Sequence, residues 1–138
     1  MIILDTNVIS ALMCDPPDRQ VVAWLDCQST SSIWTTSVTT LEIQFGLHIM
    51  PASRRRSALE EIFNLILKRI DYRIAPFDDE AARFSAGLMA QRKASGRVGR
   101  LSDAMIAGIV LARHASLATR NETHFADLTA TVINPWTA

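Results

Sequence analysis

The chain has little cysteine, glycine or proline, no net charge and no long apolar run, and each shortage removes a class of protein. Two cysteines, Cys14 and Cys27, in 138 residues are too few for a disulfide framework. Lacking C-x-x-C companions, they supply no zinc or redox motif either, and both read as small buried apolar residues. Five Gly and five Pro beside 49% hydrophobic and 20% charged residues exclude the composition of a disordered chain. Fourteen Lys plus Arg balance fourteen Asp plus Glu, so no global field draws the molecule to nucleic acid or an anionic membrane. Any such attraction has to come from local clustering. The cleanest apolar run, Ala104 to Ala112, is far shorter than the ~20 residues that cross a bilayer. The opening Met1-Ile2-Ile3-Leu4-Asp5 has no basic n-region and meets an acid at once, which argues against a signal peptide. The expectation is one soluble, cytoplasmic domain, residues 1–138, with a substantial core.

Short apolar runs alternate with longer segments of helical period, the pattern of an α/β domain with a parallel central sheet flanked by helices. Ile2-Leu4 reads as a buried first strand, and Asp5-Thr6-Asn7 starts a helix through Val8, Ile9 and Leu12 that Pro16-Pro17 ends. A helix through Val21, Val22, Trp24 and Leu25 precedes the strand Ile33-Trp34-Thr35. Thr39-Thr40-Leu41-Glu42 matches an S/T-x-x-E capping box and opens a helix through Ile43, Leu47 and Ile49. Leu59, Ile62, Phe63, Ile66, Leu67 and Ile70 step at three and four residues, the clearest amphipathic helix in the chain. Tyr72 to Ala75 reads as a short strand closed by Pro76, and Asp78-Asp79-Glu80 as the acidic first turn of a helix carrying Phe84 and Leu88. Gly96 and Gly99 end it in a basic loop. Ser102 is placed to cap a helix through Ile106, Ile109 and Val110, and Leu117-Ala118-Thr119 and Thr131-Val132-Ile133 supply the last two strands.

Asp5, Glu42 and Asp103 share a position type, at or just inside the start of a helix. Taken singly, each has an ordinary explanation as an N-cap, a capping-box acid or a first-turn acid facing the positive end of the helix dipole. Right-handed βαβ crossovers, however, line up the C-terminal ends of parallel strands on one edge of the sheet, where the three acids would share a cleft. Clustered carboxylates repel unless a cation occupies the site. Oxygen-only ligands favour Mg²⁺ or Mn²⁺ over zinc, and such a metal holds a phosphate oxygen and acidifies water, the chemistry of phosphodiester hydrolysis.

Four stretches taken together resemble a PIN-domain ribonuclease: Ile3-Leu4-Asp5-Thr6-Asn7-Val8, Ser37 to Gly46, Ser102-Asp103-Ala104-Met105-Ile106-Ala107 and Ala118-Thr119-Arg120-Asn121. The closing Val132-Ile133-Asn134-Pro135-Trp136 is similar to the end of VapC toxins of the FitB-like subgroup, so the resemblance covers essentially the whole chain. It implies a toxin that cleaves RNA with Mg²⁺, Mn²⁺ substituting, and that forms a homodimer. It also implies a cognate antitoxin of VapB or FitA type, bound through its other domain to operator DNA. By the same resemblance Asp5, Glu42 and Asp103 are the metal-binding acids, and Asn121 falls at a fourth polar position of the catalytic set. Thr6 and Thr119 match hydroxyl positions that orient water or a carboxylate, with helix start and strand propensity as their ordinary readings. Asn7 either hydrogen-bonds a neighbouring acid or caps local backbone.

Arg92, Lys93, Arg97 and Arg100 make a basic patch just before Asp103. Such a patch is either a solvated helix end or an RNA-steering surface, and Arg97 and Arg100 are the residues expected to meet the RNA backbone. Arg54-Arg55-Arg56 open a helix where positive charge is mildly unfavourable, which points to an acidic neighbour or an anionic partner. His48, His114 and His124 have no metal-ligand spacing and read as surface or boundary residues, His124 alone being within a turn of Asn121. Trp24, Trp34, Trp136 and Tyr72 read as core or interface anchors. Two other functions compete. A phosphoryl-accepting domain also uses strand-end acids, but Asp5-Thr6-Asn7 lacks a second acid and Thr119-Arg120 lacks a strand-end lysine. A noncatalytic interaction domain would use the three acids only as caps.

Overall fold

A computed structural model describes all 138 residues. The strands are β1 (Ile2–Leu4), β2 (Ile33–Thr36), β3 (Ile74–Ala75), β4 (Ser116–Ala118) and β5 (Val132–Ile133). Six helices intervene: α1 (Thr6–Met13), α2 (Arg19–Asp26), α3 (Ser37–Ile49), α4 (Arg54–Arg69), α5 (Asp79–Ala94) and α6 (Leu101–Ala112). All pairings are parallel in the order β3-β2-β1-β4-β5, with Ile3 opposite Trp34 on one side and Leu117 on the other.

Because successive strand residues face opposite sides, the sheet divides the core in two. Leu4 and Ala118 join Val8, Ile9, Val21, Trp24, Phe63 and Leu67 on one face. Ile3 and Leu117 join Leu88, Ile106, Ile109, Val110 and Phe125 on the other. The chain moves outward from β1 through β2 to β3, then returns to lay β4 on β1's free side. The order therefore reverses between β1 and β4, and the crevice beyond their carboxyl ends is the usual ligand position of such a sheet. Asp5 and Thr119 are the residues that leave those two strands.

Several boundaries differ from the sequence reading. Thr36 caps α3, its hydroxyl accepting from the Thr39 amide at 3.1 Å, so the helix starts a turn before the expected capping box and Glu42 lies in its interior. Thr35, Thr36, Thr39 and Thr40 all have capping chemistry, and tertiary packing selects Thr36. Ser102 does not cap α6, because the helix already begins at Leu101 behind an extended Arg100. The strand expected from Tyr72 shrinks to Ile74–Ala75, since Asp71 and Tyr72 turn through the left-handed region at φ 52° and 54°. Tyr72 is consequently exposed rather than a core anchor, whereas Trp24 is buried and Trp34 and Trp136 are half-buried. Cys14 and Cys27 are exposed, contrary to expectation, because each terminates a helix whose buried face is supplied by Met13 or Trp24. No helix is long and apolar enough to cross a membrane.

Candidate active site

Asp5 ends β1 in extended geometry and caps α1, accepting from the Thr6 amide through Oδ1 at 2.7 Å. Its Oδ2 accepts from the Thr119 hydroxyl at 2.7 Å and the Asn7 amide at 3.3 Å. A carboxylate offers about four lone-pair positions, so three donors fix Asp5 while leaving one position on Oδ1 open. Asp5 is only 3% exposed. Burial pushes its carboxyl above the ordinary value, the Thr119 hydroxyl and Thr6 amide pull it down, and the charges of Asp103 and Glu42 raise it further. Asp103 and Glu42 thus lie within electrostatic reach of Asp5.

Glu42 projects from α3 toward α1, where the Thr6 hydroxyl donates to its Oε1 at 2.7 Å. Thr6 is itself 3.0 Å from the buried Thr39 hydroxyl, so a chain of hydroxyls from Thr36 through Thr39 orients Glu42. On the solvent side, Arg100 approaches Glu42 Oε2 at 3.4 Å. Asp103, in the first turn of α6, is buried with its Oδ2 3.2 Å from Nδ1 of His124, and no backbone or hydroxyl donor claims it. His124 belongs to a 3-10 turn, Glu122–Phe125, and is the histidine that reaches the site; His48 and His114 are exposed elsewhere.

Asn7 does more than cap. Its amide group also donates to Thr119 at 3.2 Å, and its Oδ1 accepts the Arg120 backbone amide at 3.2 Å, tying α1 to the end of β4. Asn121 is exposed and anchors the same network through its backbone, donating to the Thr119 hydroxyl at 3.0 Å. The basic patch is largely internally compensated. Arg92 is buried and forms a bidentate pair with Asp127 at 2.9 and 3.0 Å, so it is a structural clamp and neither a solvated helix end nor a steering residue. Arg97 lies 3.6 Å from Asp127. Arg97 and Arg100 nonetheless line a cavity of about 220 Å³ with Asp103 and His124. Arg56 pairs with Glu60 at 3.0 Å, the acidic neighbour anticipated for that arginine. His124 is the one histidine whose spacing from Asn121 put it within a turn of the cleft, and it does reach Asp103. The sequence reading placed Arg92 only in the basic patch and Thr39 only in a capping box, and missed their contacts with Asp127 and Thr6.

No three acidic, histidine or cysteine side chains close on a single point as a ready-made cage. The three acids nevertheless suit a hard cation: carboxylate oxygens, two of the three groups buried, an open position on Asp5 Oδ1, and a single nitrogen, His124 Nδ1, at the rim. Mg²⁺ keeps several waters and uses only one or two carboxylates, so it needs no closed cage, whereas zinc's nitrogen and sulfur preferences are unmet.

The PIN domain family profile matches residues 2–130. The chain is 41% identical over 137 residues to VapC ribonuclease Y4jK of Sinorhizobium fredii, covering 99% of this chain and 98% of that protein. It is 31% identical to toxin FitB of Neisseria gonorrhoeae, covering 99% of each. The solved structure of FitAB bound to an IR36 DNA fragment superposes with a TM-score of 0.89 at 31% identity, covering 99% of this chain and 96% of that one. A parallel sheet in this order, acids gathered at its carboxyl edge and full-length relatives of this kind place the chain in the PIN domain family.

Proposed function

We propose that this protein is the toxin of a toxin–antitoxin pair and a metal-dependent endoribonuclease, with Asp5, Glu42 and Asp103 as its metal-binding acids. The observation that supports the reading is that Asp5 at the end of β1, Glu42 of α3 and Asp103 of α6 lie within electrostatic reach of one another beside the crevice between β1 and β4, where burial and repulsion leave a demand for positive charge. Bound there, Mg²⁺ or Mn²⁺ supplies charge neutralisation for a phosphodiester and acidity to nearby water.

The chain's own side chains supply orientation. Thr119, Asn7 and the Thr6 amide hold Asp5 in one rotamer, and Thr6 holds Glu42, so neither acid must be ordered when substrate arrives. His124 approaches Asp103 from the rim. Arg100 partly screens Glu42, and with Arg97 it offers positive charge to an RNA backbone at the mouth. Asn121 is exposed beside the network and is tied to it through its backbone, its side-chain oxygen being an uncharged acceptor. The expected partner is a small antitoxin whose arginine could pair with the acids, and which carries the complex to operator DNA; the DNA-bound FitAB relative supports that assignment.

Purified protein should cleave single-stranded RNA with Mg²⁺ or Mn²⁺ and not with chelator. Asp5→Asn and Asp103→Asn should each lower the rate roughly 100-fold or more while retaining native circular dichroism. Asn121→Asp should shift the Mg²⁺ midpoint to lower concentration. Undiminished cleavage by Asp103→Asn in excess chelator would overturn the metal site.

A further inference from the structure

Among the arginines around the crevice, Arg120 differs in kind. Arg92 is locked to Asp127, and the more exposed Arg97 and Arg100 each lie within 4.0 Å of a carboxylate, whereas Arg120 has none that close and acts on Asp18 only through its longer-range charge. Its guanidinium lies instead over the ring of Trp136, 4.8 Å from the centroid. One hydrogen bond holds that ring and another its backbone. The indole N–H donates to Asp18 Oδ2 at 3.0 Å, and the Trp136 backbone amide donates to Asn134 at 2.9 Å. The backbone of Arg120 is held by Asn7, the residue that also donates to Asp5. A continuous line of bonded groups thus runs from the buried carboxylate through Asn7 to a planar cation backed by an aromatic ring.

This pair borders a cavity of about 330 Å³ together with Asn7, Ser10, Pro16 and Asp18. Its size falls within the range that holds small organic ligands. Its chemistry is specific: a flat guanidinium for stacking, and for the edge of a planar heterocycle the Ser10 hydroxyl and the lone pair that Asp18 Oδ2 retains beside the Trp136 indole, the Asn7 amide being taken up by Asp5, Thr119 and Arg120. Arginine planes and aromatic rings are the surfaces on which unpaired bases stack, and arginine also attracts the adjoining phosphate. We propose that this cavity is a nucleobase-binding subsite, in which Arg120, backed by Trp136, stacks on the base of a nucleotide adjoining the phosphodiester held at Asp5. The proposal rests on the ribonuclease reading and adds to it where the substrate strand leaves the acids. It also assigns Asn7 a second task, keeping subsite and carboxylate in fixed register.

The test is binding in chelator, so that cleavage does not enter. Three tryptophans give three indole N–H signals in a nitrogen–proton correlation spectrum, with Trp136 assigned by Trp136→Phe. Adenosine or uridine 5′-monophosphate should shift the Trp136 signal and leave Trp24 unmoved, while ribose 5-phosphate should not shift it. Affinity for a fluorescein-labelled single-stranded RNA oligonucleotide should fall roughly 5- to 150-fold in Arg120→Ala, the range for losing one stacked base. Arg120→Lys should recover only a small part, since it restores charge but no plane. Arg120 is exposed, so both variants should retain the wild-type melting temperature.

Equal shifts with ribose 5-phosphate, or full recovery in Arg120→Lys, would reduce the cavity to a phosphate contact and overturn the subsite. Unchanged RNA affinity in Arg120→Ala with weakened binding of a partner protein would overturn it in favour of protein docking. If wild-type protein cleaves RNA with Mg²⁺ while the Trp136 signal ignores nucleotides, the subsite alone fails. If it neither binds nor cleaves RNA, the ribonuclease reading fails with it.

Discussion

Replacing Arg92 by methionine should destabilise the protein far more than any other loss from the basic patch. The Arg92 side chain is 6% exposed and donates three hydrogen bonds: two to Asp127, at 2.9 and 3.0 Å, and one to the His124 carbonyl at 2.9 Å. Methionine keeps most of the apolar stem but strands a carboxylate and a carbonyl. Breaking a fully buried pair costs about 3–5 kcal/mol. Asp127 remains 23% exposed, so water and Arg97 recover part of that, leaving about 2–3 kcal/mol. At roughly 4 °C per kcal/mol for a chain of this size, the melting temperature should drop about 8–12 °C. Arg97→Ala is the internal control: 48% exposed and 3.6 Å from the same carboxylate, it should cost at most about 0.5 kcal/mol, or roughly 2 °C. The pH dependence supplies a second readout. Arg92 holds the Asp127 carboxyl below its ordinary value of 3.8. The stabilisation is therefore fully present above that value and lost as pH falls through the depressed one. Thermal melts by circular dichroism from neutral to acid pH should show the wild type and Arg92→Met converging at the acid end. Equal losses for the two variants, or a pH-independent gap, would refute the clamp.

Gly108→Ala should destabilise by about 1–3 kcal/mol in chemical denaturation, although helix propensity alone favours alanine by about 1 kcal/mol. The added Cβ would clash with Ser85 Oγ and the Ala81 carbonyl, and Ser85 cannot retreat without losing its bond to the Ala104 carbonyl. For Asp5 the sign of the pH effect reverses: its folded value is raised, chiefly by burial, so the native state holds a proton that the unfolded chain releases above 3.8. Metal-free wild type should thus lose stability relative to Asp5→Asn as pH rises from 4 toward neutrality. Added Mg²⁺ should return that stability to the wild type alone, and a melting temperature indifferent to Mg²⁺ would count against metal binding.

The order of elements was legible because it depends on local period and terminator chemistry. Ile2-Leu4 before a polar cap, and the three-and-four spacing of Phe63, Leu67 and Ile70, each identify an element without reference to the rest of the chain. Asp5, Glu42 and Asp103 could be nominated together because parallel topology carries strand ends to one edge. Their local context was less reliable: several hydroxyls near Glu42 offer equivalent caps, and the packing of α3 against α1 chose Thr36 and turned Thr39 toward Thr6. Gly108 shows the same division, since its cost as a helix residue is readable while the close approach of α5 that demands it is not. What only the tertiary structure decided was which charges neutralise one another. Arg92 finds Asp127 across 35 residues, Arg100 finds Glu42 across 58, and Arg120 finds the ring of Trp136. The reason is that electrostatic and stacking energies depend on separation in space and on exclusion of water, neither of which is a function of position along the chain.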